Sequence, residues 1–270
     1  LKEIRQAFLD EDKEKAAQLT RNNFNGLAAY EEKDETPFRF GSFTTMGELY
    51  VETGLNELRM SNYRRILSLD SAMVVVQFDK DGVQYQRKYF ISYPDSVMVM
   101  KFTANQSGKQ NLILSYCPNS EAKSNLRADG KDGLVYTGVL DNNGMKFAFR
   151  IKAIHKGGTL EAENDRLIVK GADEVVFLLT ADTDYKMNFN PDFKDPKTYV
   201  GNDPEQTTRI MMDQAVQKGY DELYRNHEAD HTALFNRVRL QLNPDISSPN
   251  LPTYQRLANY KKGTPDYQLE

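Results

Sequence analysis

The pattern of apolar and polar positions changes twice along the chain and divides it into three parts. Between residues 1 and 22, Ile4, Phe8 and Leu19 stand among charged residues without a glycine or proline, which predicts a single helix. Between residues 48 and 180, short apolar or alternating runs are separated by turn residues, which predicts β-strands. After about residue 192 the apolar spacing becomes helical again.

The middle part predicts antiparallel sheets, because its strands follow one another closely with no helical pattern between them. Asp81-Gly82 favours a tight hairpin turn, and Asn142-Asn143-Gly144 and Gly157-Gly158 are expected to form further hairpin-type turns. The fold class is therefore predicted as mainly β: a large antiparallel β-sandwich (a super-sandwich) with flanking N- and C-terminal helices. The expected strands are 48–53, 63–69, 72–78, 83–92, 97–103, 111–116, 134–140, 145–155, 166–170 and 174–180.

One of these strands alternates clearly enough to assign its two faces. Lys146, Arg150 and Lys152 fall on one face, and the apolar residues between them fall on the other. We therefore expect one surface of this strand to face solvent.

The C-terminal part predicts helices and a linker. Asp203-Pro204 favours a helix start and Gly219 a helix end, and a second helix is expected to follow from Tyr220. Residues 239–242 alternate like a final strand, 243–252 are proline-rich, and 253–270 begin another helix. The predicted division is an N-terminal β-sandwich domain over 1–242, with an opening helix and two closing helices, and a linker over 243–270.

Composition excludes several classes of protein. The 35 basic and 39 acidic residues give a net charge of -4, which disfavours nucleic-acid binding. The mean hydropathy of -0.67 and the lack of a long apolar run predict no membrane span. Leu1 opens directly into a charged segment, so no signal peptide is expected in this chain. Cys117 is the only cysteine, so an internal disulfide is impossible.

The sequence HEADH, from His227 to His231, fits the H-E-x-x-H pattern in which two histidines bind zinc and the glutamate activates water. A catalytic zinc needs a third ligand. No histidine follows, so we expect a carboxylate such as Asp245 or Glu270 to supply it. The alternative is that His227 and His231, which fall on the apolar stripe, pack at a helix–sheet or domain interface with their ring nitrogens hydrogen-bonded.

Pairs of carboxylates are the other candidates for chemistry. A glycosidase needs two carboxylates across a cleft, and three close pairs occur. The alternative is that they are ordinary turn and surface acids. The three pairs are Asp182 with Asp184, Asp192 with Asp195, and Glu31 with Glu32.

Cys117, at the end of an apolar strand, is expected to be a small buried side chain.

Several stretches follow a pattern typical of one enzyme family. Tyr63 to Ala104 is similar to Y-x-R-x-L-D-L-x-x-A followed by D-G-V-x-Y-x-R-x-x-F-x-S-Y-P-D-x-V, and Phe43 to Val51 is similar to Y-Q-x-L-G-D-L-Y-L. His227 to Leu242 resembles H-x-x-D-x-x-x-L-F-x-R-V-x-L-x-L, in which Glu228 and His231 are not required. Leu251 to Leu257 resembles L-P-T-x-x-R-L. On these motifs the chain resembles the N-terminal domain of glycoside hydrolase family 95, the α-L-fucosidases.

The resemblance implies a non-catalytic N-terminal fragment of an inverting α-L-fucosidase-like enzyme that acts on terminal α-L-fucosyl glycans. The family's general-acid glutamate and its asparagines lie on a helical barrel with no counterpart here, so no catalytic residue, cofactor or metal is predicted. The fragment is expected to pack on that barrel, and the parent enzyme is expected to be exported to the periplasm or cell exterior.

The resemblance also leaves one wall of the substrate cleft as a role for this chain. The segment before the first strand carries polar Thr44, Thr45 and Glu48 around a glycine, and these are the predicted substrate-binding residues; a structural turn is the alternative. Two other functions stay open: a stand-alone carbohydrate-binding module, and a zinc metallopeptidase through His227, Glu228 and His231.

Overall fold

Two antiparallel sheets pack face to face in the computed structural model, which describes residues 2–24, 45–56, 58–118, 122–140, 144–163, 165–192, 195, 197–239, 251–266 and 269. The smaller sheet has the strand order β1-β6-β11-β10, and the larger has β2-β3-β4-β5-β12-β9-β8-β7. The prediction of a mainly β, antiparallel sandwich with flanking helices is confirmed. The elements are α1 (Lys2–Leu9), α2 (Lys13–Phe24), β1 (Gly47–Glu52), β2 (Met60–Ser68), β3 (Met73–Lys80), β4 (Val83–Ser92), β5 (Val97–Ala104), β6 (Gln110–Pro118), β7 (Ala122–Ala128), β8 (Gly133–Leu140), β9 (Lys146–Lys156), β10 (Thr159–Glu163), β11 (Arg166–Ala172), β12 (Glu174–Thr183), α3 (Pro204–Phe235) and α4 (Thr253–Lys261).

The main core lies between the two sheets. It is filled by every second side chain of the central strands, as the two-residue period of a strand requires. Aromatic rings meet there edge to face, as Phe102 and Phe177 do at 5.8 Å between ring centroids. The fully buried members include Leu114, Leu134, Tyr136, Ile151, Leu167 and Phe177.

A second core lies on the outer face of the larger sheet, beneath α3. Val99 and Leu178 of the sheet pack there against Met212 and Leu223 of the helix. The larger sheet is therefore buried on both faces in its central strands.

This second core corrects the prediction that one face of β9 is solvated. Arg150 is only 2% exposed, and its Nη1 is paired with Asp129. The alternating pattern showed correctly which residues share a face, but α3 covers that face at Arg150. Its neighbour Thr180, opposite it on β12, donates a hydrogen bond to Thr208 O of α3 at 3.0 Å.

The N-terminal segment forms two helices, so the prediction of one continuous helix is wrong. Glu11 adopts a positive φ of 59° and breaks the backbone pattern between α1 and α2. The side chain of Asp12 then accepts a hydrogen bond from Lys15 N at 3.0 Å, which caps the start of α2. Glu11 and the capping Asp12 thus separate the two helices without a glycine or proline.

Two strands were not predicted, and one predicted turn has a different role. β7 and β10 are short, polar and at sheet edges, where neither face is apolar enough to give a period. Gly157 and Gly158 do form a tight link, with φ of 68° and 64°. It carries the chain from β9 in the larger sheet to β10 in the smaller one, and so is not a hairpin.

The C-terminal part confirms the helix start at Pro204 and the break at Gly219. Asp203 Oδ1 accepts a hydrogen bond from Glu205 N at 3.1 Å, and Gly219 has φ 73° and ψ 171° inside α3. Arg239 is not in a strand, and the remainder of the strand expected over 239–242 lies outside the described residues, as do 243–250. Among the described helices none has an apolar stretch that could cross a membrane.

Candidate functional site

The two histidines of the HEADH segment are hydrogen-bonded to backbone carbonyls next to the larger sheet. His227 Nε2 donates a hydrogen bond to Ala72 O at 3.0 Å, and its ring stacks on Phe90 with 4.9 Å between centroids. One turn later, His231 Nε2 donates to Leu69 O at 2.6 Å. The second half of α3 is thereby attached to the turn between β2 and β3.

This arrangement gives no support to the zinc hypothesis. Each Nε2 donates to a carbonyl and carries a proton, so only the Nδ1 atom of each ring is left with a lone pair for a metal. Glu228 Oε1 accepts a hydrogen bond from Tyr224 at 2.9 Å, so it too is engaged on the helix. Within the described ranges no three His, Cys, Asp or Glu side chains are grouped to hold a metal ion, and the suggested third ligands Asp245 and Glu270 lie outside those ranges.

Helix α3, which carries the two histidines, contacts a buried carboxylate, that of Asp95, in the turn between β4 and β5. Its side chain is 2% exposed and accepts hydrogen bonds from Ser92 Oγ at 2.6 Å, Lys218 Nζ at 2.6 Å and Asn226 Nδ2 at 3.1 Å. Burial acts to raise the pKa of Asp95, but these three hydrogen bonds outweigh it and hold the pKa below its usual range. The resulting stabilisation is present above the ordinary carboxyl pKa and is lost as the pH falls through the lowered value.

Neither Asp95 nor its partners were among the sequence-predicted site residues. Asp95 is part of the family-like S-Y-P-D motif, but that motif alone does not show which helix residues reach it. Lys218 is 123 positions away along the chain, so only the packing of α3 on the sheet brings them together. An aspartate directly after a proline, just past the end of a predicted strand, was the available signal.

The segment before β1 is held by a close backbone approach. Gly47 has φ 149°, and a Cβ on it would collide with the carbonyl of Cys117 and the hydroxyl of Tyr116. That hydroxyl donates to Met46 O, and burial raises the pKa of Tyr116. Packing therefore requires a glycine at position 47, because β1 can lie this close to β6 only where it carries no side chain.

Of the three predicted substrate-binding residues, Thr45 and Glu48 are exposed and Thr44 lies outside the described residues. Glu48 is on the outward face of β1, where it accepts a hydrogen bond from the hydroxyl of Tyr50. That hydrogen bond raises the pKa of Tyr50. Cys117 lies opposite Glu48 in the register with β6 and is exposed, which corrects the expectation that it is buried.

The carboxylate pairs that fall in the described part of the chain have structural partners. Asp184 is buried and accepts a hydrogen bond from Lys146 N at 2.9 Å, so it caps the start of β9. Asp182 accepts from Thr183 N at 2.8 Å, and Asp195 accepts from Lys197 N at 2.9 Å in a turn. The pair Glu31 and Glu32 lies outside the described residues.

Two known families match different parts of the chain, one before α3 and the other from the middle of α3 onward. Residues 1–188 match the family described as "Glycosyl hydrolase family 65, N-terminal domain". Residues 219–270 match the family described as "Glycosyl hydrolase family 95 catalytic domain". The second match begins at Gly219, the residue at which α3 is kinked.

Two curated proteins are similar to most of the chain. "Probable alpha-fucosidase A" of Aspergillus niger is 27% identical over 239 residues, covering 84% of this chain. "Alpha-L-fucosidase 2" of Arabidopsis thaliana is 25% identical over 249 residues, covering 81%. The chain spans only 29% of the length of either relative. Among solved structures, a "Putative kojibiose phosphorylase from human microbiome" gives a TM-score of 0.49 at 10% identity, over 70% of this chain and 27% of that one.

The first of these family matches covers well over half of the chain and includes both sheets. The two fucosidase relatives are similar to more than four-fifths of the chain. The resemblance to the N-terminal domain of family 95 is thus confirmed, and the chain belongs to the glycosyl hydrolase family 65 N-terminal domain family.

Proposed function

We propose that this chain is the non-catalytic N-terminal part of an inverting glycoside hydrolase that acts on terminal α-L-fucosyl glycans. The observation that carries the proposal is the pair of family matches, with an N-terminal domain followed by the beginning of a family 95 catalytic domain. The coverage of two fucosidases over more than four-fifths of the chain supports the substrate. Asp182, Asp184 and Asp195 each accept a hydrogen bond from a backbone N–H group, and these structural contacts support a non-catalytic role for the chain.

The partner of the chain, on this proposal, is the remainder of the same polypeptide, a catalytic helical barrel. The exposed side chains of Leu67, Leu69, Leu234 and Phe235 form a candidate docking surface, here called the junction surface. His231 connects its two sides, because it hydrogen-bonds Leu69 O and stacks on Phe235 at 5.1 Å. A contiguous apolar patch marks an interaction site more often than single exposed residues do.

Helix α4 supports the same partner. None of its residues is buried, yet it exposes Tyr254, Leu257 and Tyr260 at intervals of three. Such spacing places them along one side of a helix, which is the pattern of a helix that packs on another element. The family 95 match includes α4, so we assign this side to contact with the rest of the catalytic domain. The same enzyme is proposed to be exported, as its expected glycan substrates require.

The proposed function predicts that the 270-residue chain releases no fucose, whereas a longer protein that includes a family 95 barrel does. Both would be incubated with 4-nitrophenyl α-L-fucoside and with a fucosylated trisaccharide. The physical reason is that inversion needs an acid and a base across a cleft, separated by about 6.5–9.5 Å. Proton NMR of the first product should show β-L-fucose, since inversion changes the anomeric configuration.

Each part of the proposal can fail separately. Fucose release by the 270-residue chain itself would disprove its non-catalytic role. A longer protein that cleaves an α-L-galactoside but no α-L-fucoside would disprove the substrate, and initial formation of α-L-fucose would disprove inversion.

We also propose that Thr44, Thr45 and Glu48 contribute one wall of the substrate cleft. The support is that Glu48 is a solvent-facing carboxylate on a segment held in place by Gly47 and Tyr116. A fixed carboxylate can accept hydrogen bonds from sugar hydroxyls.

Substituting Glu48→Gln in the longer enzyme is expected to raise KM by about 3–10-fold with little change in kcat. That range corresponds to one lost hydrogen bond to bound substrate. Glu52→Gln is the matched control, since Glu52 is exposed on the same face of the same strand. Equal KM values for the two variants would refute the proposed contact. Saturable binding of the trisaccharide by the 270-residue chain alone would favour the carbohydrate-binding module instead.

A further inference from the structure

Helix α3 changes direction at Gly219, and both halves remain in contact with the sheet. The backbone of Gly219, with φ 73° and ψ 171°, is outside the helical range, so no intrahelical geometry sets the angle between the halves. A Cβ at this position would meet nothing within 4 Å. Glycine can adopt many φ/ψ pairs, so the contacts of each half select the angle that is observed.

Apolar packing holds both halves on the sheet but is non-directional. Met212 and Ala215 before the kink, and Leu223 after it, are buried in the core beneath α3. Tyr220 and Tyr224 lie edge to face on Phe90, at 5.9 and 5.8 Å between centroids. Such contacts tolerate small rotations of a helix on the surface that it covers.

Asp95 makes directional contacts to both halves. Thr180 bonds only the first half, at Thr208 O, and the bonds of His227 and His231 to the sheet come only from the second half. Lys218 is the last residue before the kink, and its Nζ lies 2.6 Å from Asp95 Oδ1. Asn226 is almost two turns after the kink, and its Nδ2 donates to the same oxygen at 3.1 Å. Ser92 holds the carboxylate itself through Oδ2 at 2.6 Å. The Oδ1 atom of Asp95 thus accepts hydrogen bonds from residues on both sides of the break in the helix.

We infer that Asp95 is a positioning residue: its carboxylate fixes the angle of α3 at Gly219, and with it the direction in which the second half leaves the sandwich. A buried ion pair contributes little net stability, because the cost of removing the charges from water offsets their attraction. In some proteins such a pair instead selects one geometry among several. The contact should therefore control orientation more than it controls stability.

The inference gives the sandwich a function in the longer enzyme. The second half of α3 is the beginning of the family 95 match, so its direction sets how the catalytic domain is placed. This last step rests on the proposed function. The geometric claim does not, and it can be tested on the 270-residue chain without any activity.

The test measures the distance between the two halves of α3 by double electron–electron resonance. Nitroxide labels are attached at Arg209→Cys and Ala229→Cys, both exposed positions, in a Cys117→Ser background. We expect Asp95→Asn and Lys218→Met each to broaden the label–label distance distribution at least twofold. Asp132→Asn is the matched control, because it removes an ion pair with Lys152 (3.2 Å) on the same sheet but away from the kink.

The outcomes separate positioning from a merely structural role. Broadening in both variants, with the parental distribution in Asp132→Asn, supports the inference. Parental distributions in both Asp95→Asn and Lys218→Met overturn it, as does equal broadening in the control. If Asp95→Asn does not fold, Lys218→Met decides alone, since the side chain of Lys218 is 35% exposed and its replacement is expected to leave the sandwich folded.

Discussion

Replacing Phe177 with alanine is expected to lower the free energy of unfolding by about 3–5 kcal/mol. Phe177 is 0% exposed in the middle of β12, the strand that pairs with both β5 and β9. Removing its ring eliminates the contact with Phe102 and leaves a cavity that the two sheets cannot close without moving apart. Because the free energy of unfolding of a domain is only about 5–15 kcal/mol, this loss is a large fraction of its stability.

The matched control is Phe189→Ala, because Phe189 is the same residue type with 94% of its surface exposed. Urea titration followed by far-ultraviolet circular dichroism gives the free energies of unfolding. The control is expected to differ from the parent by less than about 0.5 kcal/mol. Similar losses for the two variants would show that the main core is not between the sheets at β12.

The second large effect is expected at Gly158, where the chain crosses from the larger sheet to the smaller. Alanine there is expected to cost about 2–5 kcal/mol, as the sum of left-handed backbone strain and overpacking. The added Cβ would collide with Lys170 O and lie 2.5 Å from Gly171 C and 2.6 Å from Ala172 N. These are backbone atoms of β11, which cannot move aside without disturbing the strand.

Gly144→Ala separates the two contributions. Gly144 has a φ of 72°, close to the 64° of Gly158, but a Cβ there would meet nothing within 4 Å. Its expected cost is the backbone strain alone, about 1–2 kcal/mol. Thermal unfolding of both variants provides the comparison. A cost for Gly158→Ala no greater than for Gly144→Ala would contradict the close approach of Gly158 to the end of β11.

Most of the fold was predictable because strand residues alternate and turns have a characteristic chemistry. Asp81-Gly82 predicted the β3–β4 hairpin, which forms with positive φ at both residues. Prediction failed where the signal depends on distant residues. β7 and β10 can be recognised as strands only from the strands that they pair with. The local pattern predicts that Arg150 faces solvent, because it does not show that α3 packs on that face of the sheet.

The candidate sites show the same limit more strongly. HEADH satisfies a metal-binding spacing, yet His227 and His231 are directed at the carbonyl oxygens of Ala72 and Leu69, more than 150 positions away. Spacing within a helix shows which side chains share a face. It does not show what that face meets, and here it meets a sheet.

Local sequence was enough to predict the fold class, most strand positions, the break at Gly219 and, through the motifs, the glycoside hydrolase family. These depend on local periodicity, on backbone preferences and on short-range patterns. Three features could be seen only in the folded chain: the link at Gly158 joins two sheets, α3 covers Arg150, and Asp95 bonds both halves of α3. Those features arise from contacts between residues far apart in the chain, and no local pattern specifies which distant groups will meet.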